Sequence, residues 1–207
     1  MKNYIVFDLE WNQSANGKER SVPHFPFEII EIGAVKLNEN FQMTGEFHRL
    51  VRPQVYSQMH HAISEVTHMN MKELRSSGEL FPDAAAEFLA WCGGDAVFCT
   101  WGNMDLLELQ RNMDYYHMEN PFPKPLLYYD VQKLYGLFCR ENARISLDSA
   151  VEEQNLMEDR PFHRALDDAY YTGKLLTMLG KTPGPDAILP FKSVDYYRLP
   201  SDKKEEI

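Results

Sequence analysis

The chain predicts an α/β fold built on a mixed sheet. Three observations carry this: three β-rich runs lead, helical stripes and short strands then alternate, and no internal repeat or low-complexity linker interrupts them. "NYIVFDLEW" (3–11) is rich in aromatic and β-branched residues and reads as a strand. "SANGKERSVP" (14–23) is polar, with Gly and Pro, and reads as a loop. "FEIIEIGAVKLN" (27–38) and "FQMTGEFHRLV" (41–51) meet near the turn-like "NEN" (38–40), which pairs them as a hairpin.

The alternation follows. "FPDAAAEFLAWCGG" repeats apolar residues at Ala85, Phe88, Leu89 and Cys92, a helical stripe stopped by Gly93 and Gly94. "AVFCTW" (96–101) is a short strand, and a helix runs from near 103 to about 117. Beyond the proline-rich "NPFPKPL" come a strand around 127–129 and a helix through about 140. Ser146 is placed to cap the helix of "SLDSAVEEQNL". The last strong helix covers roughly 164–179, with Ala165, Ala169, Thr172, Leu176 and Leu179 along one side and Gly180 as its stop. The expected organisation is one domain over 1–182 and a C-terminal extension over 183–207 whose last residues fray.

At 207 residues the chain can bury its own core, and 44% hydrophobic with 25% charged residues is ordinary for a globular fold. No apolar run reaches the length of a membrane span and the N-terminal residues lack a charged segment followed by an apolar one, so the expected location is the cytoplasm, without membrane contact. Cys92, Cys99 and Cys139 form no CxxC pair, which suits a reducing compartment and core filling. A net charge of −10 argues against a protein that coats nucleic acid through a broad basic surface. It leaves room for an enzyme acting on a few nucleotides, because bound divalent cations locally reverse the sign.

The acids are where chemistry would sit. Asp8 and Glu10 lie two apart on the first strand, so both carboxylates project from one face. Asp105 falls in the first turn of a helix just past a strand end; alone, it could simply complement the helix dipole. His163 stands just before the last helix, with Asp167 and Asp168 in its first turns, where an acid can equally be a cap. If the first and fourth strands are neighbours, Asp8, Glu10, Asp105 and Asp168 converge at the usual ligand crevice of an α/β sheet. Four bare carboxylates repel, and two Mg²⁺ or Mn²⁺ ions would resolve the conflict. A nearby histidine could then take a proton from an attacking water. His60, His61 and His68 lack a cysteine at ligand spacing and read as a solvated helix end rather than a zinc site. Arg160 and Arg164 flank His163 and could hold phosphates or merely offset the acids.

These segments resemble a known family. "FDLEWN" resembles the first motif of the DEDD superfamily of 3′–5′ exonucleases, "EIIEIGAVKLN" is similar to its second strand, and "TWGNMDLLEL" to its second motif. "HRALDDA" resembles the third, with His five residues before Asp, which marks the DEDDh branch (DnaQ and RNase T-like). Within it the chain looks nearest to the ERI-like and KapD-like exoribonuclease group. Motifs in this order over about 3–180 are specific.

The resemblance implies an RNase H-like fold with a five-stranded mixed sheet flanked by helices. It implies Asp8, Glu10, Asp105 and Asp168 as acids holding two Mg²⁺ or Mn²⁺ ions, and His163 as the general base. Asp8 would bridge both ions, and the His-to-Asp interval selects Asp168 over Asp167. The implied reaction removes 5′-mononucleotides from the 3′ ends of single-stranded RNA or DNA, RNA and short oligonucleotides being the expected substrates. Trp11, Thr67, Met69 and Arg164 are the expected substrate contacts, Trp11 and Met69 being equally suited to packing. Two departures stand out: Asn103 replaces a frequent Asp before the second-motif acid, where it would cap the helix, and "EVTHM" (65–69) carries His68 where the family's "LTGI" has Gly. Alternatives are a non-catalytic regulatory protein on the same fold and a small-oligonucleotide phosphodiesterase.

Overall fold

A computed structural model describes residues 3–15, 22–123, 126–139, 145–181 and 192–194. In chain order the elements are β1 (Asn3–Gln13), β2 (Phe27–Leu37), β3 (Met43–Leu50), α1 (His61–Thr67), α2 (Met71–Ser77), α3 (Phe81–Cys92), β4 (Ala96–Thr100), α4 (Met104–Tyr115), β5 (Leu126–Asp130), α5 (Val131–Cys139), α6 (Leu147–Glu153), α7 (Ala165–Lys181) and β6 (Lys192–Val194). The sheet order is β3-β2-β1-β4-β5-β6. β1 is antiparallel to β2 and parallel to β4, which makes the sheet mixed as expected. The five expected strands are all present, and the three-residue β6 adds a short antiparallel edge beside β5. The rest of the extension beyond 182, including its expected frayed end, lies outside the described residues, as does most of the 14–23 loop.

Alternation along β1 sends side chains to two cores. Ile5, Phe7 and Leu9 join α3 and α4 residues such as Phe88, Leu106 and Leu109 on one face. Val6 joins Val35, Tyr171, Leu175 and Leu176 on the other, beneath α5, α6 and α7. Each fully buried Ile, Val or Phe contributes about 1.5–3 kcal/mol, so these two layers hold the sheet ends in place.

Several local expectations are corrected. Gly180 lies inside α7 rather than stopping it, and a Cβ there would come within 2.7 Å of the Phe41 ring, so close packing explains the glycine. Asn103 occupies the N-cap position of α4 but makes no side-chain capping bond; its φ of −124° and ψ of −5° are not the extended geometry that aims a cap over the first turn. Ser146 is N-terminal to α6 as expected, yet its hydroxyl engages Asp148 and the Ser149 hydroxyl instead of a main-chain N–H. α1 and α2, seven residues each, fill a stretch with no long apolar stripe to announce them.

Candidate active site

The β1–β4 ladder runs from Asn3 to Val6 and no further. Past that point β1 continues toward its acids paired with β2 on its other side, and the chain leaving β4 turns through 101–103 into α4. Asp105, 5% exposed in the first turn of α4, accepts the Leu9 N–H at 3.2 Å. A backbone donor that the departing strand leaves without a partner is thus satisfied by a carboxylate placed between Asp8 and Glu10. Asp105 thereby joins the edge that carries the first two acids.

Asp168 reaches the same edge by a different route. Gly33 is the register partner of Asp8 on β2. A Cβ at Gly33 would fall 2.0 Å from the Leu166 nitrogen and 2.1 Å from the Ala165 carbonyl carbon, so α7 starts in direct backbone contact with the sheet. Only glycine allows so close an approach. Asp168 follows within the first turn, where carboxylate oxygens of Asp8, Glu10 and Asp168 all lie within 4.8 Å of one another. Three oxygen donors so disposed suit a hard divalent cation. Among the described residues this is the one group of three or more His, Cys, Asp or Glu side chains placed to hold a metal ion.

The electrostatics match crowded, partly withdrawn carboxylates. Burial, then Asp105, Glu10, Asp168 and Glu31, drive Asp8 well above the usual carboxylate range. Glu10 is pushed up to about 8 by burial and by Asp168, Glu31 and Asp105, with Arg164 opposing. Asp105 and Asp168 each rise to about 7, chiefly through burial, although the Leu9 and His163 N–H groups respectively pull them back. A bound dication would supply the missing positive charge.

His163 is exposed, with φ of 64°, and its N–H donates to both Asp168 oxygens at 3.2 Å. This left-handed residue turns the chain into α7 and ties it to Asp168. Asp167 is directed to Arg160, 3.5 Å away, while Arg160 also pairs with Glu46 at 2.8 Å and stacks on Tyr170.

Glu31 is the residue that sequence reasoning passed over. It is fully buried opposite Glu10 and accepts the Ala165 N–H at 3.1 Å, the Arg164 guanidinium at 2.8–3.2 Å and His48 Nε2 at 2.6 Å. It therefore caps the start of α7 and fastens it to β2. Burial would raise its pKa, but the His48 and Arg164 bonds outweigh that and hold it below its ordinary value. The available signal was a charge inside the apolar run "EIIEIGAV", which requires a buried partner.

Of the expected substrate contacts, Trp11 is half-buried at the end of β1 against Phe27, next to a bulge between Glu10 and Trp11. Thr67 ends α1 buried, its hydroxyl donating to the Ile63 carbonyl and accepting the Met69 N–H. Met69 is buried with Ile30 and Leu74. His68 takes the left-handed C-cap with φ of 57°, so the helix ends as a glycine would end it. Arg164 spends its guanidinium on Glu31. Of the three histidines set aside as zinc ligands, His61 pairs with Glu65 at 3.2 Å.

Among the described residues no helix is long and apolar enough to cross a membrane. A probable 3′–5′ exonuclease, KapD of Bacillus subtilis (strain 168), is 26% identical over 185 residues, covering 84% of this chain and 83% of that protein. The nuclease domain of 3′hExo, a DEDDh family member bound to rAMP, superposes with a TM-score of 0.76 at 20% identity, covering 93% of this chain and 96% of that one. The zinc-bound form of an E. coli ExoI–ssDNA complex gives 0.73 at 16% identity, over 90% of this chain and 42% of that one. The exonuclease (RNase T) family pattern matches residues 5–176, and the chain belongs to that exonuclease family.

Proposed function

We propose that the protein is a metal-dependent 3′–5′ exonuclease that hydrolyses single-stranded nucleic acid, RNA or short oligonucleotides foremost, to 5′-mononucleotides. The observation that carries this reading is the meeting of Asp8, Glu10 and Asp168 within 4.8 Å, with Asp105 tied to the main chain between the first two. These four acids would hold two ions, Mg²⁺ or Mn²⁺, which when bound would align the attacking water and stabilise charge on the phosphate. His163, exposed beside Asp168, accepts the proton of that water as its oxygen bonds to phosphorus and the bond from phosphorus to the 3′ oxygen breaks. The free part of the Trp11 ring and the segment 67–69 face the terminal nucleotide, Met69 supporting it from below. Arg164, held by Glu31, adds positive charge beside the acids. The 3′ polarity follows the likeness to KapD, and the RNA preference the likeness to 3′hExo, which was solved bound to rAMP.

Incubating the protein with 5′-labelled oligoribonucleotide and Mn²⁺ should give a ladder shortening from the 3′ end. EDTA and Asp8→Ala should each abolish it. RNA, DNA and dinucleotides run side by side rank the substrates. If the wild-type protein degrades none of them, the nuclease reading fails and the fold serves as a binding platform.

A further inference from the structure

β1 carries one more polar side chain past its acids. Asn12 is fully buried, donates to the Gln58 carbonyl and accepts the His60 N–H, both at 2.9 Å. Its register partner on β2 is Glu28, also buried, which accepts the N–H groups of Gln54 (2.6 Å), Val55 (2.9 Å) and Tyr56 (2.9 Å) and the Tyr116 hydroxyl (3.3 Å). The bulge makes this pairing possible. Glu10 opposes Glu31 but Trp11 opposes Ile29, so Ile30 is an extra residue on β2. A one-residue shift reverses which face each side chain takes, and it brings Glu28 opposite Asn12, on the face that Glu10 and Glu31 share.

Two side chains of the acid-bearing strand pair thus hold five main-chain groups of the segment 54–60. That segment leads directly into α1, whose N-cap His60 makes no side-chain capping bond. A seven-residue helix has no stability of its own, so α1 sits where its flanks are held. We propose that Asn12 and Glu28 are positioning residues for the substrate: they hang α1 and the nucleotide-facing segment 67–69 from the strand that carries Asp8 and Glu10 and from its partner β2, fixing the spacing between terminal nucleotide and acids. This rests on the exonuclease reading of 67–69, and one arm of the test does not.

That arm is amide hydrogen exchange. Asn12→Ala removes both bonds to 58–60, and exchange should accelerate across 54–67 while β1 and α7 stay protected. In the activity arm, KM for a short oligonucleotide should rise about tenfold with kcat within about twofold, the pattern of lost substrate positioning. Mn²⁺ affinity should match the wild type. Glu28→Gln, isosteric but with a donor in place of one acceptor, should loosen the same segment and covers the case in which Asn12→Ala does not fold. Unchanged exchange over 54–67 in a folded variant overturns the proposal, as does exchange that rises uniformly across the chain. A fall in kcat at constant KM does the same. If the wild type has no nuclease activity, only the exonuclease reading falls, and the exchange arm still decides whether the two side chains hold the segment.

Discussion

Replacing Gly33 by alanine asks whether the backbone contact between β2 and α7 assembles the acid cluster. The added Cβ would sit 2.0 Å from the Leu166 nitrogen, 2.1 Å from the Ala165 carbonyl carbon and 2.4 Å from the Leu166 Cα, against 3.4 Å for ordinary contact. All three obstacles are main chain, so no rotamer change relieves them, and the start of α7 must retreat by about 1.4 Å. Such overpacking costs about 1–3 kcal/mol. The retreat would also stretch the 3.1 Å bond from the Ala165 N–H to Glu31 beyond hydrogen-bonding range. Asp168, two residues past Leu166, moves with the helix, and misplacement by ~1 Å lowers a rate on the order of 10²-fold. Calorimetric Mn²⁺ titration should show at least about tenfold weaker binding, and the labelled-oligonucleotide assay a fall in kcat of about 10²-fold. Gly173→Ala is the control: its Cβ would meet only side-chain atoms on the same interface, Val35 Cγ2 at 2.9 Å and Met43 Cε at 3.8 Å, and should lower the melting temperature while sparing metal binding. A Gly33→Ala protein that binds Mn²⁺ and turns over like the wild type would refute the reasoning.

Other outcomes follow from the same geometry. Asp168→Asn should abolish Mn²⁺ binding while Asp167→Asn leaves it within about twofold, since Asp167 faces Arg160; equal losses in calorimetry would contradict this. Glu31→Gln should cost about 1–3 kcal/mol in urea unfolding at pH 7, because a neutral amide at this buried position weakens the charge-assisted bonds to the partly exposed Arg164 and to the Ala165 N–H. Glu31 has a depressed folded pKa, so its stabilisation is present above the ordinary value of 4.5 and lost as pH falls through the folded value, and the gap between variant and wild type should close on acidification. Glu10 near 8 and Asp105 and Asp168 near 7 have the opposite sign: the metal-free fold holds more protons than the unfolded chain and loses stability as pH rises through that range. In EDTA, Asp105→Asn should therefore melt above the wild type at pH 8 and close to it at pH 5, and wild-type Mn²⁺ affinity should weaken as protons compete below pH 7.

What the sequence determined by itself is local or periodic. The two-residue spacing of Asp8 and Glu10 forces a shared face on a strand, the stripe of "FPDAAAEFLAWC" makes a helix that two glycines end, and acids in first turns suit helix dipoles. Which distant group answers each buried charge is set by how the elements dock. Glu31 meets Arg164 and Ala165 across 133 and 134 positions, and Glu28 meets the main chain of 54–56. Gly33 is one residue of a β-rich run until α7 is seen lying against it, and Gly180 reads as a helix stop until the Phe41 ring is in place. One bulged residue, invisible in the composition of "EIIE", reassigns Glu28 to the acid face. Spacing along a chain sets the direction of side chains within one element, whereas the partners of buried polar groups depend on how elements dock, and docking is set by close packing between residues far apart in sequence.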